Sequence, residues 1–295
     1  MASAKDIKNR ISSVTSTHKI TRTMEMVSTS KFKRFADRAS AAMPFSNALP
    51  AMLALLASAE DDGASQPLLE TRSEVRRVAL LLLTTNRGLC GPLNSNLLKK
   101  TMLFRRELEA KGIEMDLHVV GKKGIGFMKF LGIEMASQKN DLPDAPQPEH
   151  ADAFADMLVE DFLSKRVDEV YIAYPHFKNA AEQPPVIERI LPLSAPETAE
   201  KEEKEDDKLQ LNFLFEPGKD ELLGELLPLY LRNSFVRILL ETAASEQGAR
   251  RTAMKAATDS AEEMITNLTR SYNKARQAAI TTELLEIVGG AEALK

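Results

Sequence analysis

Tryptophan is absent from this chain, cysteine occurs once, and aromatic residues make up only 5% of its 295 positions. The single thiol, Cys90, excludes an intramolecular disulfide and suits a reducing compartment. No run approaches the roughly 18 consecutive apolar residues of a membrane span. The opening residues, MASAKDIK, lack both the apolar core of a secretory signal and the Arg-rich character of a transit segment. The chain is therefore expected to be soluble or peripheral to a membrane, and to act where it is made. A net charge of −4 excludes a uniform polycation of the kind that coats nucleic acid. Methionine, by contrast, is plentiful at 12 residues, which suits helix-rich packing by adaptable side chains.

Charge is unevenly placed. Residues 1–40 carry nine Lys/Arg against three Asp/Glu, while PETAEKEEKEDD (196–207) carries seven acids against two lysines. The basic stretch predicts a helix from residue 3 to about 57. Ser3-Ala4-Lys5-Asp6 forms a capping-box pattern, and Ile7, Ile11 and Val14 recur at helical spacing. The seam then turns to Ser, Thr and His, and resumes at Met24, Val27, Phe32, Phe35 and Ala39. Pro44 and Pro50 are expected to kink or divide this helix.

Residues 60–74 read as a polar loop. The apolar run VRRVALLLLTT (75–85) predicts a buried strand. A helix follows from about Pro92, then a strand over 115–121, a short helix near 122–131, a helix over 150–166 and a strand over 168–175. VIERILPLS (186–194) and LQLNFLFEP (209–217) complete the expected strands, with the acidic run between them as a loop. Strands alternating with helices argue for an α/β fold, a doubly wound and largely parallel sheet with an antiparallel edge.

From about Asp220 to Val288 helical patterning returns, with Pro228 marking the expected start of its uninterrupted part. Met254, Ala257, Ala261, Met264/Ile265, Leu268 and Ala275 keep a three-four stagger. At about 1.5 Å per residue this helix would run roughly 100 Å and the first roughly 80 Å, too long to lie within a compact domain. One helix leads into the α/β region and the other leaves it, so a pairing between them is antiparallel. The longer helix then ends alone, with Ala278, Ala279, Ile280, Leu284, Leu285, Ile287 and Val288 around most of its circumference. A helix apolar on all sides calls for an enclosing partner.

No catalytic pattern emerges. GKKGIGF lacks the phosphate-loop spacing, and Lys129 stands where a dinucleotide fingerprint wants glycine, so an ordinary strand-to-helix turn is expected there. Cys90 has no base that the sequence places beside it among His18, His118, His150 and His176; a buried thiol in a glycine-bounded turn is the simpler reading. His118 falls within a strand and reads as a core or sheet histidine. Metal-ligand spacings are absent. Neither an enzyme site, a metal nor a cofactor is expected. An α/β enzyme with oligomerising helical arms, or a basic coiled coil that binds nucleic acid, remain the alternatives from other classes.

The stretches AKDIKNRISSVTSTHKITRTMEMVSTSK, RGLCGPLNSNL and ASEQGARRTAMKAATDSA…YNKARQAAITTELLEIVGGA closely resemble the gamma subunit of bacterial F-type ATP synthase, and the resemblance runs the whole chain. It implies a non-catalytic central-stalk rotor that couples ion flow to rotational catalysis. The implied architecture is an antiparallel coiled coil of N- and C-terminal helices (1–58 and 220–295) around a Rossmann-like domain (75–217). Implied partners are the alpha and beta subunits of the head, the epsilon subunit and the c-ring, at the cytoplasmic face of the bacterial inner membrane. Matched residue by residue, contacts with the alpha–beta ring fall on Arg250, Arg276 and Gln277, with Thr281 as their neighbour. The same resemblance puts Met24 in the coil packing near Arg276–Gln277, and Phe213, Phe215 and Glu216 at the c-ring and epsilon, where the family often has tyrosines.

Overall fold

The computed structural model describes residues 4–58, 66–193 and 218–293. The chain forms two compact units, Met1–Thr29 with Arg250–Lys295, and Ser30–Ala249. Helix α1 spans Ala4–Ser58 and helix α5 spans Lys219–Ala293, so each contributes to both units.

Within Ser30–Ala249 the elements follow as β1 (Arg77–Leu83), α2 (Leu93–Ala110), β2 (Glu114–Val120), α3 (Lys122–Phe130), β3 (Ser137–Lys139), α4 (Pro148–Leu163), β4 (Glu169–Pro175) and β5 (Pro185–Leu191). The sheet order is β3-β2-β1-β4-β5. Strands β3, β2, β1 and β4 run parallel, and β5 joins β4 antiparallel, which gives the expected antiparallel edge. β1 is central, and from Val78 to Leu83 it is apolar because both faces are covered. Ala79, Leu81 and Leu83 point into one core with Phe154, Leu158 and Phe162 of α4 and with Leu227 and Leu231 of α5. Leu80 and Leu82 point into the other, with Leu97, Leu98 and Met128 of α2 and α3. Alternation with period two thus feeds two apolar layers from one strand.

Three expectations change. β3 has three residues, Ser-Gln-Lys, with no apolar pattern to announce it; it exists by pairing with β2, where His118 lies opposite Ser137. Helix α1 is not divided at Pro44 or Pro50; Leu49 and Leu53 beyond and between them are buried and help hold its last turns. Helix α5 begins at Lys219, beside the expected start at about Asp220, but it runs unbroken through Pro228, the expected point of interruption. An internal proline costs a helix about 3 kcal/mol, but Leu223, Leu227, Leu231 and Phe235, spaced by one turn, are all buried here. Burying a Leu or Phe side chain contributes about 1.5–3 kcal/mol, so packing outweighs the proline. The expected strand at 209–217 and the acidic run at 196–207 lie outside the described residues.

Asp168, just before β4, ties the start of β1 in place. Its carboxylate accepts from the Arg76 and Arg77 amides at 2.7 and 2.9 Å and from Arg72 Nη1 at 2.7 Å. Partial burial pushes its carboxyl up, but the Arg72 hydrogen bond and the two amides outweigh this and hold it below the usual aspartate range. A depressed folded-state value means this stabilisation is complete above the ordinary aspartate range and is lost as pH falls through the depressed one. Asp168→Asn is expected to lower stability by about 2 kcal/mol at neutral pH. In urea titrations, the difference from the parent should shrink toward zero in strong acid; a difference independent of pH would refute this account.

Candidate functional site

The segments 4–29 and 250–293 form a two-helix seam. Among its covered or half-covered positions on α1, Ile7, Ile11, Val14, His18, Thr21, Glu25 and Ser28 follow in alternating steps of four and three, with Ala4, Thr15 and Met24 half-covered beside them. On α5 the series is Met254, Thr258, Ala261, Ile265, Leu268, Tyr272 and Ala275. The Thr258 hydroxyl donates to Thr21 Oγ1 at 2.9 Å, and the Thr21 hydroxyl donates to His18 O at 3.1 Å. In the other unit Phe35 packs with Ala243 and Ala244. Within the first unit, cover on α5 ends at Ala275, 17 residues beyond Thr258, and α1 is described back to Ala4, 17 residues before Thr21, so the helices are antiparallel.

This explains how a Ser/Thr-rich helix is held. Thr21 and Thr258 meet across the seam, and other hydroxyls are satisfied within their own helix. Thr15, Thr17, Thr23 and Thr29 each donate to the carbonyl one turn back. The seam continues straight through its polar stretch: Thr21 and Ser28 are buried, at 8% and 2% exposure, whereas Val27 is 51% exposed and faces solvent. The expected seam position at Val27 is therefore corrected to Ser28. The signal was the unbroken three-four spacing itself, which residue polarity concealed.

The register puts Ala4 level with Ala275, the last half-covered residue of α5. Every position from 276 to 291 is exposed, including Ile280, Leu284, Leu285, Ile287 and Val288. Arg276, Gln277 and Thr281 stand at the start of this stretch, and Thr281 Oγ1 donates to Gln277 O at 2.9 Å. Arg250 differs from them, at 7% exposure. Met24 is half-buried and level with Lys255. That is about 8 Å along the axis from the level of Arg250 and about 30 Å from that of Arg276. The structure therefore does not bring Met24 to Arg276–Gln277. Lys5, Lys8, Arg10, Lys19 and Arg22 are all exposed, so the basic character of α1 lies on its outer faces. Phe213, Phe215 and Glu216 lie outside the described residues.

Places where an α/β fold would take a ligand are occupied by the protein itself. The first amides of α3 are used up: Lys122 N donates to Asn86 Oδ1, Lys123 N to Thr85 O and Gly124 N to Thr84 Oγ1. A Cβ on Gly124 would stand 2.7 Å from Thr84 Oγ1, so this glycine serves the approach of helix to strand rather than of a phosphate. At the carboxyl ends of β1 and β2, Leu239, Thr242 and Ala243 of α5 close the crevice to about 40 Å³, against roughly 300 Å³ for a small-molecule site. A wider cleft of about 700 Å³ at the opposite strand ends is lined by Arg72, Arg76, Arg77 and Arg166. Each of these is ion-paired to an acid. Cys90 is buried in its turn, where Asn94 Nδ2 donates to its sulfur at 3.2 Å. His118 is buried in β2 with Nδ1 2.8 Å from Ser137 Oγ, and burial pushes its pKa down.

Seam packing predicts a contrast. Phe35→Ala removes a fully buried ring and should cost about 3–5 kcal/mol. Thr21→Val should cost under about 1 kcal/mol, since the Thr258 hydroxyl can turn to Met254 O, 2.8 Å away. Thermal denaturation of the full chain checks this; equal losses would mean the threonine pair carries the seam.

A family model described as ATP synthase matches residues 3–294. The ATP synthase gamma chain of Gemmatimonas aurantiaca is 48% identical over 295 residues, and that of Leptospira biflexa 43% over 294, each covering all of both chains. Among solved structures, a chain of the Euglena gracilis mitochondrial ATP synthase aligns with a TM-score of 0.65 at 22% identity, covering 99% of this chain and 94% of that one. That likeness bears on the fold, while the full-length identities decide descent: this chain belongs to the ATP synthase gamma-chain family.

Proposed function

We propose that this chain is the central-stalk rotor of an F-type ATP synthase, turning ion flow into rotational catalysis without a catalytic site of its own. The observation that carries the reading is the exposed apolar end of α5 beyond the seam, Ile280 to Val288. Five large apolar side chains on an unpaired helix are costly in water and call for a surrounding protein surface. A ring of alpha and beta subunits is the sleeve that membership in this family suggests. Arg276, Gln277 and Thr281, exposed at the head of that stretch, are the proposed ring contacts. Arg250 is proposed with them, although the surface it offers a partner is small. The basic outer faces of α1 would meet acidic loops of the same ring.

A rotor changes nucleotide affinity only by contacting the catalytic conformers unequally. One helix of the pair is basic and the other is not, so the pair presents different charge at different angles. Exposed polar contacts of this kind are weak individually, which suits a shaft that must leave each angular position. Phe213, Phe215 and Glu216 are proposed as contacts to the c-ring and epsilon subunit, within the division into terminal coil helices (1–58, 220–295) and Rossmann-like domain (75–217). Among the described residues no helix is long and apolar enough to cross a membrane. Attachment through the c-ring, at the cytoplasmic face of a bacterial inner membrane, is the proposed location.

Co-expression with alpha and beta subunits should yield a complex of three, three and one by native mass spectrometry, with ATPase activity that depends on this chain. A chain that stays apart from an unaffected ATPase would refute the rotor role. In such complexes Arg276→Ala with Gln277→Leu should reduce hydrolysis several-fold without loss of assembly, and normal rates would remove these residues from the contact. Met24→Lys, which places a cation in a half-buried seam position level with Lys255, should lower ion uptake per ATP in membrane vesicles; unchanged uptake would count against a coupling role for Met24.

A further inference from the structure

Within Ser30–Ala249, α5 meets the rest of the domain along two adjoining stripes. The first is apolar: Leu223, Leu227, Leu231, Phe235 and Ile238 sink into the core beneath the sheet. Apolar burial is not directional. It resists pulling the helix away, but it fixes the helix's rotation about its own axis only through shape.

The second stripe is polar and runs in steps of one turn, at Arg237, Glu241 and Ser245. Arg237 Nη1 donates to Glu241 Oε1 at 2.8 Å, and its Nη2 donates to Glu188 Oε1 of β5 at 3.1 Å. The Tyr174 hydroxyl of β4 holds the same carboxylate, donating to Glu188 Oε2 at 2.7 Å. Glu241 Oε2 lies 2.7 Å from His176 Nδ1. Ser245 Oγ donates to Pro175 O at 2.9 Å. Three successive turns of α5 are therefore pinned to the end of β4 and the middle of β5. The groups on α5 are largely covered, the Glu241 and Arg237 side chains being 11% and 28% exposed, while their partners Glu188 and His176 are 36% and 42% exposed. Charge-assisted bonds of this kind are directional and strengthened by burial. Rolling α5 by a single residue step, about 100°, would break together the bonds that leave the helix, to Glu188, His176 and Pro175, while the Arg237–Glu241 pair turns with it.

We propose that Arg237, Glu241 and Ser245 form a torsional clamp, positioning residues that lock α5 against rolling on the sheet so that torque passes between the helix and the α/β domain. The proposal rests on the rotor reading above. A torque along α5 acts as a roll, the one displacement the apolar stripe opposes least, and the polar stripe stands where it opposes that roll.

The test uses the complete ATP synthase in inverted membrane vesicles, reading ATP hydrolysis and ATP-driven ion uptake, each per assembled complex. Vesicles whose complex lacks this chain serve as control, and uptake that persists in them would sink the rotor reading itself, separately from the clamp. Arg237→Met keeps the buried stem and removes the charge. It should leave hydrolysis within two-fold while uptake per ATP falls at least three-fold, and Arg237→Lys should recover more than half of that loss. Uptake per ATP unchanged in assembled Arg237→Met complexes, or hydrolysis and uptake falling in proportion, would overturn the clamp. Should Arg237→Met fail to assemble, Ser245→Ala gives the same reading from one neutral hydrogen bond, with a smaller fall expected and an unchanged ratio overturning the proposal.

Discussion

The structure depends on α5 having two incompatible obligations along one continuous helix. Between Leu223 and Ile238 it must bury a broad apolar face against the sheet, and from Met254 onward it must offer a narrow seam to a single partner helix. The first demand fixes large side chains at each turn. The second is met by a mixed series, in which Thr258, Ala261 and Ala275 alternate with Met254, Ile265, Leu268 and Tyr272. Between the two regions the polar stripe of Arg237, Glu241 and Ser245 sets the rotation of the helix, which apolar contacts alone define poorly.

Helix α1 accommodates to this. Its middle is built of Ser and Thr that would weaken an isolated helix, since their hydroxyls compete for backbone groups. Here those hydroxyls bond back to carbonyls of the same helix, and Thr21 meets Thr258 across the seam. Beside this polar seam Lys5, Lys8, Arg10, Lys19 and Arg22 stay exposed and keep one side of the pair basic.

The α/β domain keeps the form of a ligand-binding fold while its usual ligand positions are filled. Thr84, Thr85 and Asn86 at the end of β1 take the first amides of α3, and α5 closes the crevice at the carboxyl ends of the strands. The domain acts as a mount for α5, consistent with a family in which catalysis belongs to other subunits.

The sequence by itself determined the elements whose signal is local. An unbroken apolar run marked β1, alternating strands and helices marked a doubly wound sheet, three-four spacing marked both long helices, and the terminal motifs carried the family. It also marked the apolar end of α5, because an all-round apolar helix needs no tertiary context to be noticed. Tertiary structure alone decided that Ser28 and not Val27 enters the seam, that α5 runs unbroken through Pro228, that Met24 lies far from Arg276, and that Arg237 finds Glu188. Each of these turns on residues distant in the chain being brought level by helix register or by strand pairing, and periodicity within a short window holds no information about which remote residue arrives opposite.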